Sequence, residues 1–351
     1  MGLPVADIDI ATQLLPDAVI ARLRAAGIRV VPTGLAHGTV TAVIAGGPAE
    51  ITTLRRDVST DGRHAIVAFS SEWQDDAARR DFTINALYAD ARDLAVFDYF
   101  GGLADLAARR LRFIGDAESR IREDYLRILR YFRFQARFGS VPADAEAEEA
   151  CSRLAAGMKG LSRERIGWEL LNLLGLPDPA PTMRRMAQLG VLAQVLPEAE
   201  SSALTALIAA EQRSGAAPDA LRRLAALLPP DPELAHLIGA RLRLSIAQRK
   251  RLAVAAARAA PQPDARTLAY QLGREAATDR LLLAGADLAP LMNWDIPRFP
   301  LKGGAIVARG VSAGPDVARI LRTVEQQWIA GGFNDESVPA LLDRELSQAN
   351  G

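Results

Sequence analysis

Along the first ~110 residues, apolar and polar positions alternate in short runs bounded by glycine, proline and aspartate. That period of two predicts strands at 5–10, 28–31, 38–45, 49–54, 64–69 and 94–97. Pro16 opens and Gly27 closes a predicted helix over 16–26, and Gly46-Gly47-Pro48 reads as a hairpin turn. After residue ~115 apolar residues recur every three or four positions, which predicts helices over 117–138, 145–156 and 162–175 and then from 181–191 through to 337–348. Breaks rich in Pro and Gly fall around 176–181, 215–218, 229–232, 260–263 and 295–304. No fixed period repeats, so an irregular helical array is expected rather than a solenoid. The predicted fold class is α+β: a β-rich region over 1–115, followed by helical regions over 116–175 and 176–351.

A chain of 351 residues exceeds what one hydrophobic core usually serves, which agrees with several domains. With 49% hydrophobic and 24% charged residues, and no apolar run of the ~20 residues that a spanning helix needs, a soluble protein with no membrane partner is expected. A lone cysteine, Cys151, cannot form an internal disulfide, so the expected compartment is the cytoplasm and the thiol is expected to be inert.

Net charge is zero, so composition alone argues neither for nor against nucleic acid. The distribution is more informative. Lysine occurs only at 159, 250 and 302, while arginines crowd the segment 109–137: Arg109, Arg110, Arg112, Arg120, Arg122, Arg127, Arg130, Arg133 and Arg137. The planar guanidinium fork suits phosphate, although solvated helix faces would explain such a cluster equally well.

Two constellations could carry chemistry. In VADIDIAT, Asp7 and Asp9 lie two apart on a predicted strand and project to one face, leaving Ile8 and Ile10 for packed surface. Paired carboxylates repel unless compensated, and an oxygen-ligated divalent metal is the usual remedy; a strand end with two solvated acids is the alternative. Glu50, in the later run AEITTLRRD, is a third carboxylate that an antiparallel neighbour could aim at the same metals. The second constellation is Arg79-Arg80-Asp81-Phe82-Thr83-Ile84-Asn85-Ala86-Leu87, in which adjacent arginines and short polar groups offer phosphate clamps and ribose hydrogen bonds in one segment.

Taken with PTGLAHGTVT (32–41), EITTLRRD (50–57), DYFGGLADL (98–106), RFIGD (112–116) and EDYLRILRYFRF (123–134), these words resemble the class II tRNA nucleotidyltransferase and poly(A) polymerase family. LSRERIGWELLNLL (161–174) resembles the family's junction of neck and body, and FPLKGGAIVARGVSAGP (299–315) extends the likeness weakly. The resemblance implies a polymerase-beta-like head and template-independent addition of the 3′-terminal CCA of tRNA from CTP and ATP. It implies that Asp7 and Asp9 bind two Mg²⁺ ions and that Glu50 helps to position or activate the RNA 3′-hydroxyl. Arg79 and Arg80 would hold the triphosphate, with Arg130 in the same nucleotide-binding set. Asp81 and Asn85 would contact ribose or phosphate, and Gly101 and Gly102 would form a turn. Asp124 and Arg127, three apart and so on one face of a helix, would meet the Watson–Crick edge of C or A. An intrahelical ion pair is the plainer reading of those two residues.

Poly(A) synthesis is the alternative within the family. The acidic, short end DESVPALLDRELSQANG suits one folded RNA better than arbitrary RNA. The resemblance also implies a strand and a glycine-rich, arginine-bearing turn ahead of Met1, which would leave the sheet here without its first strand. The expectation is therefore an upstream start or a weakened enzyme, a non-catalytic RNA-binding relative being the alternative. Trp168, Trp294 and Trp328 are expected to be core anchors, and His37 and His64 to serve turns or structure rather than catalysis.

Overall fold

Threonine, valine and isoleucine alternate along the first strands and give the head its sheet. The computed structural model describes residues 8–61, 64–259 and 261–349. Four strands form a mixed sheet in the order β1 (Asp9–Thr12), β4 (Gly47–Thr53), β3 (Thr39–Ile44), β2 (Arg29–Gly34). Ile44 pairs with Gly47 across a tight turn at Ala45 and Gly46, and the positive φ of Gly47 (117°) shows why glycine serves at that hairpin. Helix α1 (Pro16–Ala25) has proline in its first turn and packs on β2, β3 and β4. Strand β1 lies at the edge of this arrangement. Ile8 and Ile10 are consequently 62% and 43% exposed, where strand alternation had suggested packed surface.

One predicted strand is in fact the start of two. After β4 the chain passes Leu54 and continues as β5 (Arg55–Asp61), which pairs antiparallel with β6 (His64–Phe69). Helix α2 (Trp73–Ala78) then leads to a strap at 79–85 that ends in a single 3₁₀ turn over Thr83–Asn85. A small ribbon of β7 (Leu87–Ala89) and β8 (Val96–Asp98) precedes helix α3 (Gly102–Ala107). The Asp98 carboxylate accepts the backbone N–H groups of Phe100, Gly102 and Leu103 at 3.2, 2.9 and 2.9 Å, fixing the turn into α3. Gly101 sits at φ 77°, and a Cβ on Gly102 would lie 2.3 Å from the carbonyl oxygen of Thr83. Both glycines are thus dictated by geometry, one by backbone conformation and one by close approach to the strap.

The neck comprises α4 (Ala117–Glu123), α5 (Leu126–Phe138), α6 (Ala145–Leu154) and α7 (Arg163–Leu174). The single helix expected over 117–138 is broken at Asp124, whose backbone is extended (φ −155°, ψ 106°). Its side chain accepts the N–H of Leu126 at 3.1 Å and so satisfies an orphan donor at the start of α5. Asp124 and Arg127 are therefore not neighbours on one helical face.

The core is continuous from strap to body. Phe82 is fully buried against Phe113 (ring centroids 5.0 Å apart), Tyr131 and Phe134, within the cluster that runs on through α5, α7 and the helices beyond. Further helices follow from Ala180–Gln188 to Val338–Ala349, and the last of them enclose a separate core around fully buried Trp328. Trp294 is half-buried, but Trp168 is 57% exposed and is not a core anchor: the apolar face of α7 is formed by Ile166, Leu170, Leu173 and Leu174 instead. His37 closes a 3₁₀ turn, in keeping with a structural role, while the His64 side chain lies outside the described residues. Among the described residues no helix is long and apolar enough to cross a membrane, and Cys151 is buried and unpaired.

Gly102→Ala is expected to cost about 1–3 kcal/mol, because the added methyl meets backbone rather than a side chain that could swing away. A thermal unfolding midpoint equal to that of the parent protein would show that α3 can shift freely from the strap.

Candidate active site

Asp9 and Glu50 are brought together by β pairing. Strand β1 runs parallel to β4, with Asp9 in register with Glu50, so the antiparallel neighbour expected for Glu50 is corrected to a parallel one. Register partners on adjacent strands share a face, and strands lie about 4.8 Å apart. Both residues are exposed, and no ion pair involves either carboxylate among the described residues. Asp7 lies outside the described residues. Thr41 pairs with Glu50 from the other side on β3, and the Thr39 and Thr52 hydroxyls meet at 3.1 Å on the same face. This is a hydroxyl-bearing surface with two adjacent carboxylates that no basic side chain pairs among the described residues. Such an oxygen donor set suits a hard divalent cation.

The sheet is linked to the strap indirectly, through the segment that carries α2. Thr12 accepts the N–H of Leu54 at 2.8 Å, Gln13 donates to the Ser71 carbonyl at 2.6 Å, and the Arg55 N–H donates to the buried carboxylate of Asp76 at 3.1 Å. Asp76 then organises the arginine pair. It accepts from Arg79 Nε at 2.8 Å, from an Arg80 terminal nitrogen at 3.2 Å and from the Tyr88 hydroxyl at 2.6 Å. Burial alone would raise the pKa of Asp76, but Arg79, the Tyr88 hydroxyl and Arg80 outweigh it and hold the carboxyl below its ordinary range. Burial and the hydrogen bond to Asp76 push the Tyr88 phenol up to about 12, so it stays a donor at neutral pH. Arg80 also donates to the Asn85 carbonyl at 3.3 Å and keeps 35% of its side chain exposed.

The next strap residue, Asp81, is 7% exposed. It accepts from Arg130 Nε at 2.7 Å, from Asn85 Nδ2 at 2.9 Å and from the N–H of Phe82 at 3.0 Å. Its burial favours the neutral acid, yet Arg130 and the Asn85 amide prevail and keep it ionised. Arg130 responds in kind. Desolvation would lower its pKa, but Asp81, Glu169 and Asp124 raise it.

Two more neck arginines hold the strap by its backbone. Arg120 donates to the carbonyl of Ala78, and Arg127 donates to the carbonyl of Arg79 at 3.2 Å. Glu123 fixes both, accepting from Arg120 and Arg127 at 2.6 Å each. Asp124 is paired with Arg165 on α7 at 2.5 Å, not with Arg127, so the intrahelical ion pair considered for these residues is not formed. Asp124 and Arg127 nevertheless flank the same helix break, with Arg127 N–H bonded to the Asp124 carbonyl at 3.0 Å.

The sequence alone does not point to Asp76, Tyr88, Glu123, Arg165 or Glu169 as members of this arrangement, nor to the partners of Arg120. A signal existed for some of them. Asp76 stands three and four residues before Arg79 and Arg80, and Glu123 three after Arg120 and four before Arg127, the spacings at which helical side chains meet. Arg165 and Glu169 lie inside the LSRERIGWELLNLL word, but no spacing links them to partners on distant helices.

The ionised form of Asp76 is favoured by folding, so its contribution to stability is complete above the usual carboxylate pKa of about 3.9 and is lost as pH falls through the lowered folded value. Asp76→Asn should therefore cost about 3 kcal/mol at pH 7, with the gap to the parent protein closing in denaturant titrations below about pH 4. A gap that stays constant down to pH 3 would show that the Asp76 charge does not support the fold.

With this geometry in view, the chain can be set beside known proteins. The family model described as "Poly A polymerase head domain" matches residues 1–112, and "Probable RNA and SrmB- binding site of polymerase A" matches residues 144–202. The CCA tRNA nucleotidyltransferase 1, mitochondrial, of Homo sapiens is 35% identical over 362 residues, covering 95% of this chain and 81% of that protein. The crystal structure of the Bacillus stearothermophilus CCA-adding enzyme in complex with CTP is similar with a TM-score of 0.76 at 26% identity, covering 99% of this chain and 91% of that one. The Thermotoga maritima CCA-adding enzyme complexed with tRNA, at 20% identity and a TM-score of 0.70 over 99% of this chain and 88% of its own, shares the fold. A 35% identity sustained over four-fifths of a curated relative, joined to the same α+β architecture, makes this chain a member of the CCA tRNA nucleotidyltransferase family.

Proposed function

We propose that the protein extends the 3′ end of tRNA with C, C and A, transferring nucleotidyl groups from CTP and ATP. The observation that carries this reading is the parallel register of Asp9 with Glu50 on a face tied through Asp76 to the Arg79-Arg80 strap. The reaction joins the RNA 3′-hydroxyl oxygen to the α-phosphorus of the nucleotide, breaks the bond to the β-phosphate and releases pyrophosphate. Enzymes of this class use divalent metal ions, and Mg²⁺ is the ion proposed here. When bound, two such ions would supply the Lewis acidity that stabilises charge on the attacking and leaving oxygens.

Asp9, with Asp7, would hold the metal. Glu50 beside it would accept a hydrogen bond from the RNA 3′-hydroxyl and orient that oxygen. Arg79 and Arg80 would bind the triphosphate with the N–H groups that Asp76, the Tyr88 hydroxyl and the Asn85 carbonyl leave free, already oriented before the nucleotide arrives. Asp81 and Asn85 form the ribose side of the strap, held in shape by Arg130. Asp124 has one oxygen on Leu126 N–H and one on Arg165, which leaves lone pairs to accept an exocyclic amine. Arg127 has its terminal nitrogens engaged by Glu123, the Arg120 carbonyl and the Arg79 carbonyl, and would offer Nε to a ring acceptor. G and U cannot satisfy both groups equally. The proposed division of the chain is a catalytic head over 1–115, a base-reading neck over 116–175 and a tRNA-binding body and tail over 176–351. The proposed compartment is the cytoplasm, supported by the single buried thiol.

Two measurements test this. With tRNA lacking its CCA end, CTP, ATP and Mg²⁺, the protein should yield the complete CCA end, and Asp9→Ala should reduce incorporation at least ~100-fold while tRNA binding persists. Normal turnover by Asp9→Ala would remove the metal assignment. Asp124→Ala should raise incorporation of UTP or GTP relative to CTP by roughly five- to a hundred-fold, an effect of about 1–3 kcal/mol. Loss of overall rate with unchanged nucleotide preference would mean that Asp124 only caps α5 and binds Arg165.

A further inference from the structure

Trp168 stands apart from the other tryptophans: Trp328 is fully buried and Trp73 and Trp294 are half-buried, whereas Trp168 is 57% exposed. Leaving so large an apolar ring in water forfeits burial that other helices of the neck obtain readily. Its position is specific. Trp168 precedes Glu169, a fully buried carboxylate that accepts from Arg133 Nε at 2.6 Å and lies 3.6 Å from Arg130, the residue that holds Asp81 in the strap. The Arg133 guanidinium sits 5.5 Å from the indole centroid and 4.6 Å from the ring of Phe134.

Arg127, Arg130, Arg133 and Arg137 follow one another at three- and four-residue steps along α5, a row about 15 Å long at 1.5 Å per residue. Glu169 is shared by Arg130 and Arg133, and Arg137 is exposed with no acidic partner among the described residues. An exposed indole thus stands beside a cationic row that begins at the proposed base-reading arginine. A partner helix or a lipid tail would call for apolar neighbours, not arginines. An exposed flat ring with one guanidinium at it and an unpaired arginine on the neighbouring helix suits unpaired nucleotides, since every base has a face to stack and every linkage a phosphate to neutralise.

We propose that Trp168 is a stacking platform for the unpaired 3′-terminal nucleotides of the tRNA, with Arg133 held against the ring by Glu169 and Arg137 the cation open to an adjoining phosphate. The proposal rests on the CCA-adding reading and makes Trp168 a positioning residue for the primer strand. It does not place Trp168 at the reacting atoms.

The test compares the parent protein with Trp168→Ala and Trp168→Phe, using tRNA that ends at its unpaired position before the CCA. Trp168→Ala should raise the KM for that tRNA by roughly ten- to a hundred-fold, the range seen when one stacked base loses its aromatic partner, with kcat and the KM for CTP within about two-fold. Trp168→Phe should restore most of the loss. Intrinsic fluorescence should be quenched by this tRNA in the parent protein, much less in Trp168→Phe, and not by CTP alone. An unchanged KM for tRNA in Trp168→Ala, or quenching by CTP and not by tRNA, would overturn the proposal. Failure of the parent protein to extend tRNA while the tRNA-dependent quenching persists would instead count against the CCA-adding reading and leave the stacking surface standing.

Discussion

The neck grips the strap, and the rest of the site depends on that grip. Arg120 binds the carbonyl of Ala78 at the end of α2, Arg127 the carbonyl of Arg79, and Arg130 the carboxylate of Asp81, so three arginines of α4 and α5 hold the entry to the strap and its first residues. Phe82, next in line, is sealed into the neck core. The strap has almost no regular structure of its own and could not hold a fixed shape through backbone pairing alone. Charge-assisted bonds from a neighbouring helical element supply the shape instead. Because the same strap is tied to the sheet through Asp76 and Arg55, the carboxylates of β1 and β4 and the proposed base-reading residues at the α4–α5 break belong to one mechanical unit.

The electrostatics follow from the same arrangement. Asp76 and Asp81 are buried acids, and each is bound by at least two groups that donate to its ionised form; Glu169, also buried, accepts from Arg133 and has Arg130 3.6 Å away. A buried charge without such partners would be expensive. The arginines they hold retain exposed edges, so the site presents fixed cationic groups whose orientation precedes the ligand. That preorganisation is what a phosphoryl transfer needs from a protein, since solvent need not reorganise as charge develops.

Much of this was legible in the order of residues. The alternation in the head located β1, β3, β4 and β6, and three-to-four spacing located the neck helices. The word DIDIAT spans β1, and RRDFTINAL spans the strap whose first two arginines Asp76 binds. Three features were not legible, each for a physical reason. The parallel pairing of β1 with β4 depends on chain reversal through β2 and β3, and strand alternation carries no direction. The break at Asp124 is hidden because Ile121, Tyr125, Ile128 and Leu129 continue a helical apolar stripe across it, while the interruption comes from a side-chain bond to Leu126 and an ion pair to a distant helix. Trp168 shares a helix with buried leucines, and spacing alone did not reveal that Arg133 would meet its ring in the open.

The central claim is that neck and strap act as one unit through Arg130 and Asp81. The most direct test is a double-mutant cycle of Arg130→Gln and Asp81→Asn, read as single-turnover CTP incorporation into tRNA lacking its CCA end. The account predicts strong coupling: each single change should slow incorporation, and the double variant should be no slower than the worse single one, with an interaction energy in the range of about 0.5–3 kcal/mol. Losses that simply add would contradict it, because they would mean that Arg130 and Asp81 serve the reaction separately and that the neck does not hold the strap through this pair.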